Sequence, residues 1–600
     1  MRHVLSLLAA VAVVAVPLAG QTVRYEVSVP DPSSQLFHVK AEFPAAGKDT
    51  LLLSLPAWSP GNYEIQNYAR YVRHFTARDA AGKSLFWDRA DKDTWRVAAG
   101  KSARVTAEFD FLADTIDFSI ARIRGDFGQF LGTNLFLFEE GQLARPAEVR
   151  FALPTGWRVT TALKPGSGGV YVASDYHELA DAETFVGKFA LDSVPVDGHW
   201  IRLALWPGED YTPAVAQSLR TSIAKIGAEE NAIMGGPSYD VYTIFFNVEH
   251  DPVSFGGGLE HSYGQYDIMP AGPDFATPDG HLGSFMHPLL AHELFHSWNV
   301  KRIRPAAMWP YDYHAEQYTP LLWWSEGVTD YYADLTNLRS GLWTAADFLG
   351  NAEQNVEQIE SAPEPWSEED GSEATWISEV FVNSSQLYYP KGSVTGLLLD
   401  ISMRDATGNR HGLDDVMRAL FTRYYRENQG FTTADLLSLL KEFGVPDAAG
   451  FYARYIRGRE PLPYDSVLAK AGIAVHHDSV SSPFLGVGTA ASPDGKVMVQ
   501  HVNPGTAAEA ADVRPGDILI QVGDVNVAPD SDWASEFRAH YRGKAGAPLP
   551  ITVQRDGRRL TLQAKVQEHV STTLSLSLVP APTASQARVW HGLSTGALDR

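Results

Sequence analysis

Apolar and polar residues alternate along the first third of the chain and then give way to a helical spacing. Val23-Arg-Tyr-Glu-Val-Ser-Val29, Leu36-Phe-His-Val-Lys-Ala-Glu-Phe43 and Arg104-Val-Thr-Ala-Glu-Phe-Asp-Phe111 repeat with period two, as strands burying one face do. Clusters of glycine, proline and aspartate punctuate them, so 21–197 reads as an antiparallel β domain. Thr212 to Met234 is helical in spacing and leads into an apolar strand, Val241-Tyr-Thr-Ile-Phe-Phe-Asn-Val248. Further helices are expected over Ala345 to Ile359, Val394 to Met403, Val416 to Tyr425 and Ala434 to Phe443. The acidic, proline-bearing stretch Glu360 to Glu373 reads as a surface loop. The region 198–475 is therefore mixed over 198–340 and helical over 341–475.

The N-terminus stands apart from this pattern. Arg2 and His3 precede an apolar run, Val4 to Val16, and Pro17-Leu-Ala-Gly20 offers small residues for cleavage before Gln21. Residues 1–20 are thus expected to be a signal peptide, and the mature protein to lie in a bacterial periplasm or outside the cell. The apolar run is too short to cross a bilayer core of about 30 Å, and no later segment reaches about 18 apolar residues, so no permanent membrane anchor is expected.

Composition narrows the classes further. A chain of 600 residues with 44% hydrophobic content can form roughly three or four domains. A net charge of −23 without a basic stripe excludes a nucleic-acid binder. The absence of cysteine excludes disulfides and thiolate metal sites.

The candidate chemistry centres on His292-Glu-Leu-Phe-His296. If Ala291 to Asn299 is helical, the two histidines share one face and present two imidazole nitrogens to one ion. A catalytic zinc takes three protein ligands at about 2.0 to 2.2 Å and keeps a fourth position for water, whose pKa falls toward about 7. Glu293 is placed to act as the base on that water. The third ligand appears in Trp324-Ser-Glu-Gly327 as Glu326, and Asp330, one turn further, suits the free ring N–H of a ligating histidine. Phe255-Gly-Gly-Gly-Leu-Glu-His261 has glycines that allow close backbone approach, which suits an edge strand pairing with a peptide through Gly257 and Gly258.

With its downstream W-x-E-G, the H-E-x-x-H helix resembles the gluzincin metallopeptidases. The run His292 to Pro305, with Pro56-Ala-Trp-Ser-Pro-Gly-Asn-Tyr63, resembles more narrowly the glycyl aminopeptidase family, bacterial enzymes with a PDZ domain after the catalytic unit. The resemblance implies a multidomain α+β fold: an N-terminal antiparallel β domain, a thermolysin-like α/β plus helical catalytic domain, and a PDZ domain. Gly257-Gly-Leu-Glu-His261 resembles the G-x-M-E-N segment of the wider aminopeptidase class, which implies that Glu260 holds the substrate's free α-amino group, although His261 departs from the asparagine. Tyr388-Tyr-Pro-Lys-Gly392 resembles a Y-x-K-G motif, which makes Tyr389 the donor to the oxyanion, with Tyr388 as the fallback. The Trp58 to Tyr63 turn reads first as an aromatic cap on the sheet. Phe484-Leu-Gly-Val487 looks like the carboxylate loop of a PDZ domain expected over 476–570, followed by a tail, 571–600.

The reading is a one-zinc aminopeptidase acting on peptides with a free N-terminus, with a preference for small first residues implied by the resemblance. Two alternatives stay open. One is a zinc endopeptidase; the other is a PDZ-bearing peptide-binding protein with a vestigial metal site.

Overall fold

The computed structural model describes residues 21–599 except 252, 254, 363–365, 378–386, 493–494 and 530, so the expected signal peptide lies outside the described residues. The chain forms two compact units, 1–474 with 577–600, and 475–576.

The first unit opens with β strands. β1 (Val23–Ser28), β2 (Leu36–Pro44) and β3 (Arg104–Leu112) sit side by side in a seven-stranded sheet, as their alternation predicts. Phe37, Val39, Ala41 and Phe43 point inward on β2 and meet Val105, Ala107, Phe109 and Phe111 from β3. One pairing departs from the antiparallel expectation. β1 runs parallel to β4 (Ala147–Ala152), in register from Val23 opposite Ala147 to Ser28 opposite Ala152. Period-two patterning sets which face is buried and is blind to strand direction.

A five-stranded mixed sheet follows: β5 (Ala190–Val196), β6 (His199–Trp206), β7 (Val241–Glu249), β8 (Gly257–His261) and β9 (Gly264–Pro270). The spatial order is β5-β6-β7-β9-β8, which leaves β8 at an edge. This sheet starts at Ala190, ahead of the boundary read at 197/198. Helix α1 (Pro213–Met234) joins β6 to β7; Thr212 caps its start by accepting from Val215 N–H, and Gly235 ends it in the left-handed region.

Three helices then frame the site: α2 (Met286–Phe295), α3 (Val328–Arg339) and α4 (Tyr388–Thr407). Residues Trp323–Gly327 form a π-helical turn leading into α3. A Cβ on Gly327 would lie 2.3 Å from Tyr388 O, and one on Gly392 would lie 2.5 Å from Trp323 O. These two glycines let the helix backbones touch, which brings the Tyr388-Tyr389 pair up to Glu326.

The acidic stretch differs from its surface-loop reading. Glu368–Ala374 is helical: Ser367 caps it by accepting from Asp370 N–H, and three acidic residues occupy its first turn, where the helix dipole favours them. Glu368 is buried, accepts from Thr395 Oγ1 at 2.7 Å, and burial pushes its carboxyl up to about 7. Residues 363–365 of that stretch lie outside the described residues.

The last helix, α5 (Ala584–Thr595), belongs to the first unit; it buries Val589 and Leu593, and Arg339 donates to Leu593 O at 2.9 Å. The second unit is a β-rich module around Leu485, Val499, Leu519, Ile551 and Val553. No helix among the described residues is long and apolar enough to cross a membrane.

Candidate metal centre

Helix α2 ends at Phe295, short of the Asn299 expected from the sequence, because the chain winds off to carry Asn299 against the π turn. There Asn299 Nδ2 donates to Trp324 O at 2.9 Å and to Thr329 Oγ1 at 3.0 Å. His296 still keeps right-handed helical angles, so it stays on the face of His292, and their Nε2 atoms are 2.8 Å apart. Glu326 Oε2 completes the triangle, 3.2 Å from His296 Nε2 and 3.6 Å from His292 Nε2. A tetrahedral zinc with bonds of about 2.0 to 2.1 Å sets its ligand atoms about 3.3 Å apart, and every edge here is within about 0.5 Å of that.

The outer nitrogens fix the tautomers. His296 Nδ1 donates to Asn299 O at 2.6 Å, and His292 Nδ1 lies 2.7 Å from Asp330 Oδ1. Both arrangements put the proton on Nδ1 and leave the Nε2 lone pairs facing inward, as ligation requires. Burial lowers the affinity of His292 for a proton, but Asp330 and Glu326 outweigh it and hold its pKa well above the ordinary value. Burial raises Glu326, yet His296 and His292 hold it well below the usual carboxylate range. The cluster is built to contain positive charge.

Glu293 sits beside this triad on α2, 5% exposed, with Oε2 lacking a hydrogen-bond partner. Burial pushes its carboxyl up to about 7, against the pull of His292 and His296. Glu260, on edge strand β8, joins Glu293 and His296 in a group whose ligand atoms all lie within 4.8 Å of one another, and its Oε1 also has no hydrogen-bond partner. Lys301 Nζ stands 3.7 Å from that oxygen. Gly258 has a packing role: a Cβ there would lie 2.6 Å from Glu293 Cδ and 2.7 Å from Asp267 Oδ1. Gly257 faces Phe118.

A cavity of about 360 Å³ opens along Gly257, Gly258, Leu289, His292, Glu293 and Tyr389. The Tyr389 ring lies 6.2 Å from that of His292 and lines this cavity. Tyr388 is buried and turned to Thr375 Oγ1 at 3.1 Å. Phe484, Leu485, Gly486 and Val487 are in the second unit, where Gly486 takes a φ of +83° with Thr506 filling the space its Cβ would need.

Three family models match the chain: the peptidase M61 N-terminal domain over 24–188, M61 glycyl aminopeptidase over 286–395, and a PDZ domain over 483–566. These matches place the chain with the M61 peptidases. It is a hydrolase acting on peptides. No curated protein matches it. Among solved structures, an aminopeptidase N family protein from Idiomarina loihiensis shares the fold at a TM-score of 0.84, with 22% identity, covering 95% of this chain and 100% of that one. An M1 zinc metallopeptidase from Deinococcus radiodurans aligns at 0.47, with 14% identity over 74% of this chain and 95% of its own. Leukotriene A4 hydrolase from Saccharomyces cerevisiae aligns at 0.48, with 14% identity over 75% and 70%.

Two contributors escaped the sequence reading. Tyr63, from the turn read as an aromatic cap, reaches across to donate its O–H to Glu326 Oε1 at 2.6 Å. Burial, Glu326 and Glu260 keep that phenol protonated. Asp267, buried on β9 and accepting from Gln265 Nε2 at 2.9 Å, is held well above the carboxylate range by burial and by Glu293. The aromatic Trp-Ser-Pro-Gly-Asn-Tyr run was the only sequence signal for the first, and nothing marked the second.

Proposed function

We propose that this M61 peptidase is a zinc-dependent aminopeptidase that removes N-terminal residues, with a preference for small ones such as glycine and alanine, from peptides. One observation carries the reading: the buried carboxylates of Glu260 and Glu293 converge with His296, ligand atoms within 4.8 Å of one another, at the edge of the His292, His296 and Glu326 triangle. Zinc held by those three would polarise the scissile carbonyl and acidify the attacking water. Glu293 removes the water's proton and returns it to the departing amine. Glu260 receives the substrate's α-ammonium, a cation welcome among so many buried carboxylates and set at a fixed distance from the scissile bond. Edge strand β8 pairs with the substrate backbone through Gly257 and Gly258. Tyr389, in the cavity wall, donates to the oxyanion as it forms, where such a contact counts most. The PDZ domain takes a peptide or protein C-terminus at Phe484 to Val487. Residues 1–20 direct export.

The test uses purified protein with its metal content measured. Glycyl and alanyl anilides should be hydrolysed, and their N-acetylated forms should not. Equal cleavage of blocked and free peptides would replace the exopeptidase reading with an endopeptidase one, and a protein with neither metal nor turnover would leave the binding module.

A further inference from the structure

The turn from Trp58 to Tyr63 is fastened at every residue that can reach out. Trp58 Nε1 donates to Asp312 O at 2.7 Å, and its ring meets Trp376 edge-on at 5.0 Å. The Pro60 carbonyl accepts from buried Lys301 Nζ at 2.8 Å. Asn62 Nδ2 donates to Ser119 Oγ at 2.8 Å. Gly61 takes a φ of +109°, and a Cβ there would lie 2.5 Å from Glu260 Oε1. Tyr63 is braced edge-on by Trp376 at 5.9 Å, and the pose leaves its hydroxyl 2.6 Å from Glu326 Oε1. A cap needs the aromatic faces alone. It does not need a phenol aimed from the β domain at one oxygen of a carboxylate 263 positions away.

The two oxygens of Glu326 are thereby made unequal. Oε1 is taken by Tyr63, while Oε2 faces the two imidazole Nε2 atoms at 3.2 and 3.6 Å. Unrestrained, a carboxylate can present both oxygens to a cation, which changes coordination number and consumes the position that substrate needs. A hydrogen bond on one oxygen fixes the rotation and leaves the other as a single donor. We propose that Tyr63 is a positioning residue of the metal centre, through which the N-terminal β domain holds Glu326 as a one-oxygen ligand. The proposal rests on the metal reading given above.

The experiment compares the full-length native protein with Tyr63→Phe, which removes one oxygen atom and keeps the ring. Zinc retention is titrated against a competing chelator, and the visible spectrum of the cobalt(II)-substituted protein is recorded. Tyr63→Phe should hold zinc about 10- to 100-fold more weakly, with the cobalt bands altered and the metal-free protein still folded. Equal zinc affinity and an identical cobalt spectrum overturn the proposal, whatever happens to turnover. A fall in kcat with metal handling intact does so too, since it makes Tyr63 a substrate contact. If native protein takes up no zinc, the metal reading itself has failed, an outcome distinct from the other two. Should Tyr63→Phe not fold, infrared difference spectra of the native protein with and without zinc decide. A wide carboxylate splitting, as one-oxygen ligation gives, supports the proposal, and the narrow splitting of a chelating carboxylate overturns it.

Discussion

Lys301 Nζ, in the segment that follows α2, lies 3.0 Å from Asp181 Oδ1 of the β domain. The two residues are 2% and 9% exposed. Asp181 also accepts from Ser262 N–H at 2.7 Å and stands 3.2 Å from His261 Nδ1. Burial raises the Asp181 carboxyl, but Lys301 and His261 overcome it and hold it well below the usual carboxylate range. His261 is thus engaged with the β domain.

Lys301→Met should therefore strand a buried carboxylate and cost about 3 to 5 kcal/mol of unfolding free energy. Because the native pKa of Asp181 is depressed, its contribution is present above the unfolded carboxyl value near about 4 and is lost as pH falls. The penalty, read from urea titrations, should shrink toward acid pH. The double variant with Asp181→Leu should recover much of it. A single-variant loss below about 1 kcal/mol would mean that solvent reaches the pair, since exposed pairs contribute that little.

Glu293→Gln preserves shape and hydrogen-bonding reach while removing the base. Metal content should stay at the native level while kcat falls about 10²- to 10⁴-fold. Native-like turnover in a metal-loaded Glu293→Gln protein would remove Glu293 from the chemistry.

Gly258→Ala tests how closely β8 presses on the same carboxylate. Its new methyl would meet Glu293 Cδ at 2.6 Å and Asp267 Oδ1 at 2.7 Å, so Glu293 must swing aside. We expect turnover to fall at least about 10²-fold, the lower end of what a displaced base costs, with zinc retained. Unchanged kinetics would show that the strand yields instead.

His314 gives a pH test away from the metal. Its Nε2 is 2.9 Å from Glu140 Oε1 and its Nδ1 is 3.4 Å from Asp93 Oδ2, contacts that raise it from the ordinary value to about 10. A raised native pKa stabilises fully below the unfolded value of about 6.5, and the benefit fades as pH climbs through about 10. His314→Gln should lower the melting temperature at pH 6 and approach the native protein by pH 10.5. A pH-independent difference would rule out the charge.

The legible part of this protein was local. His292, Glu293 and His296 sit within one turn or so of each other, and Glu326 and Asp330 within another, so spacing alone reports which side chains share a face. The strands over 23–28, 36–44 and 104–112 were legible because alternation reports burial directly. What pairs with what was not. The parallel partner of Val23–Ser28 lies at 147–152, and the phenol on Glu326 comes from Tyr63; neither separation leaves a period in the sequence. The buried helix Glu368–Ala374 was hidden for another reason: three acids at a helix N-terminus look the same on paper as three acids in water.

The polypeptide leaves the first unit beyond Gly472 and re-enters it near Val579, whose N–H donates to the Gly472 carbonyl at 2.8 Å. The two connecting strands, Ile473–Phe484 and Gln567–Leu578, pair with each other. The C-terminal helix therefore stays with the first unit even though the second unit interrupts the sequence ahead of it.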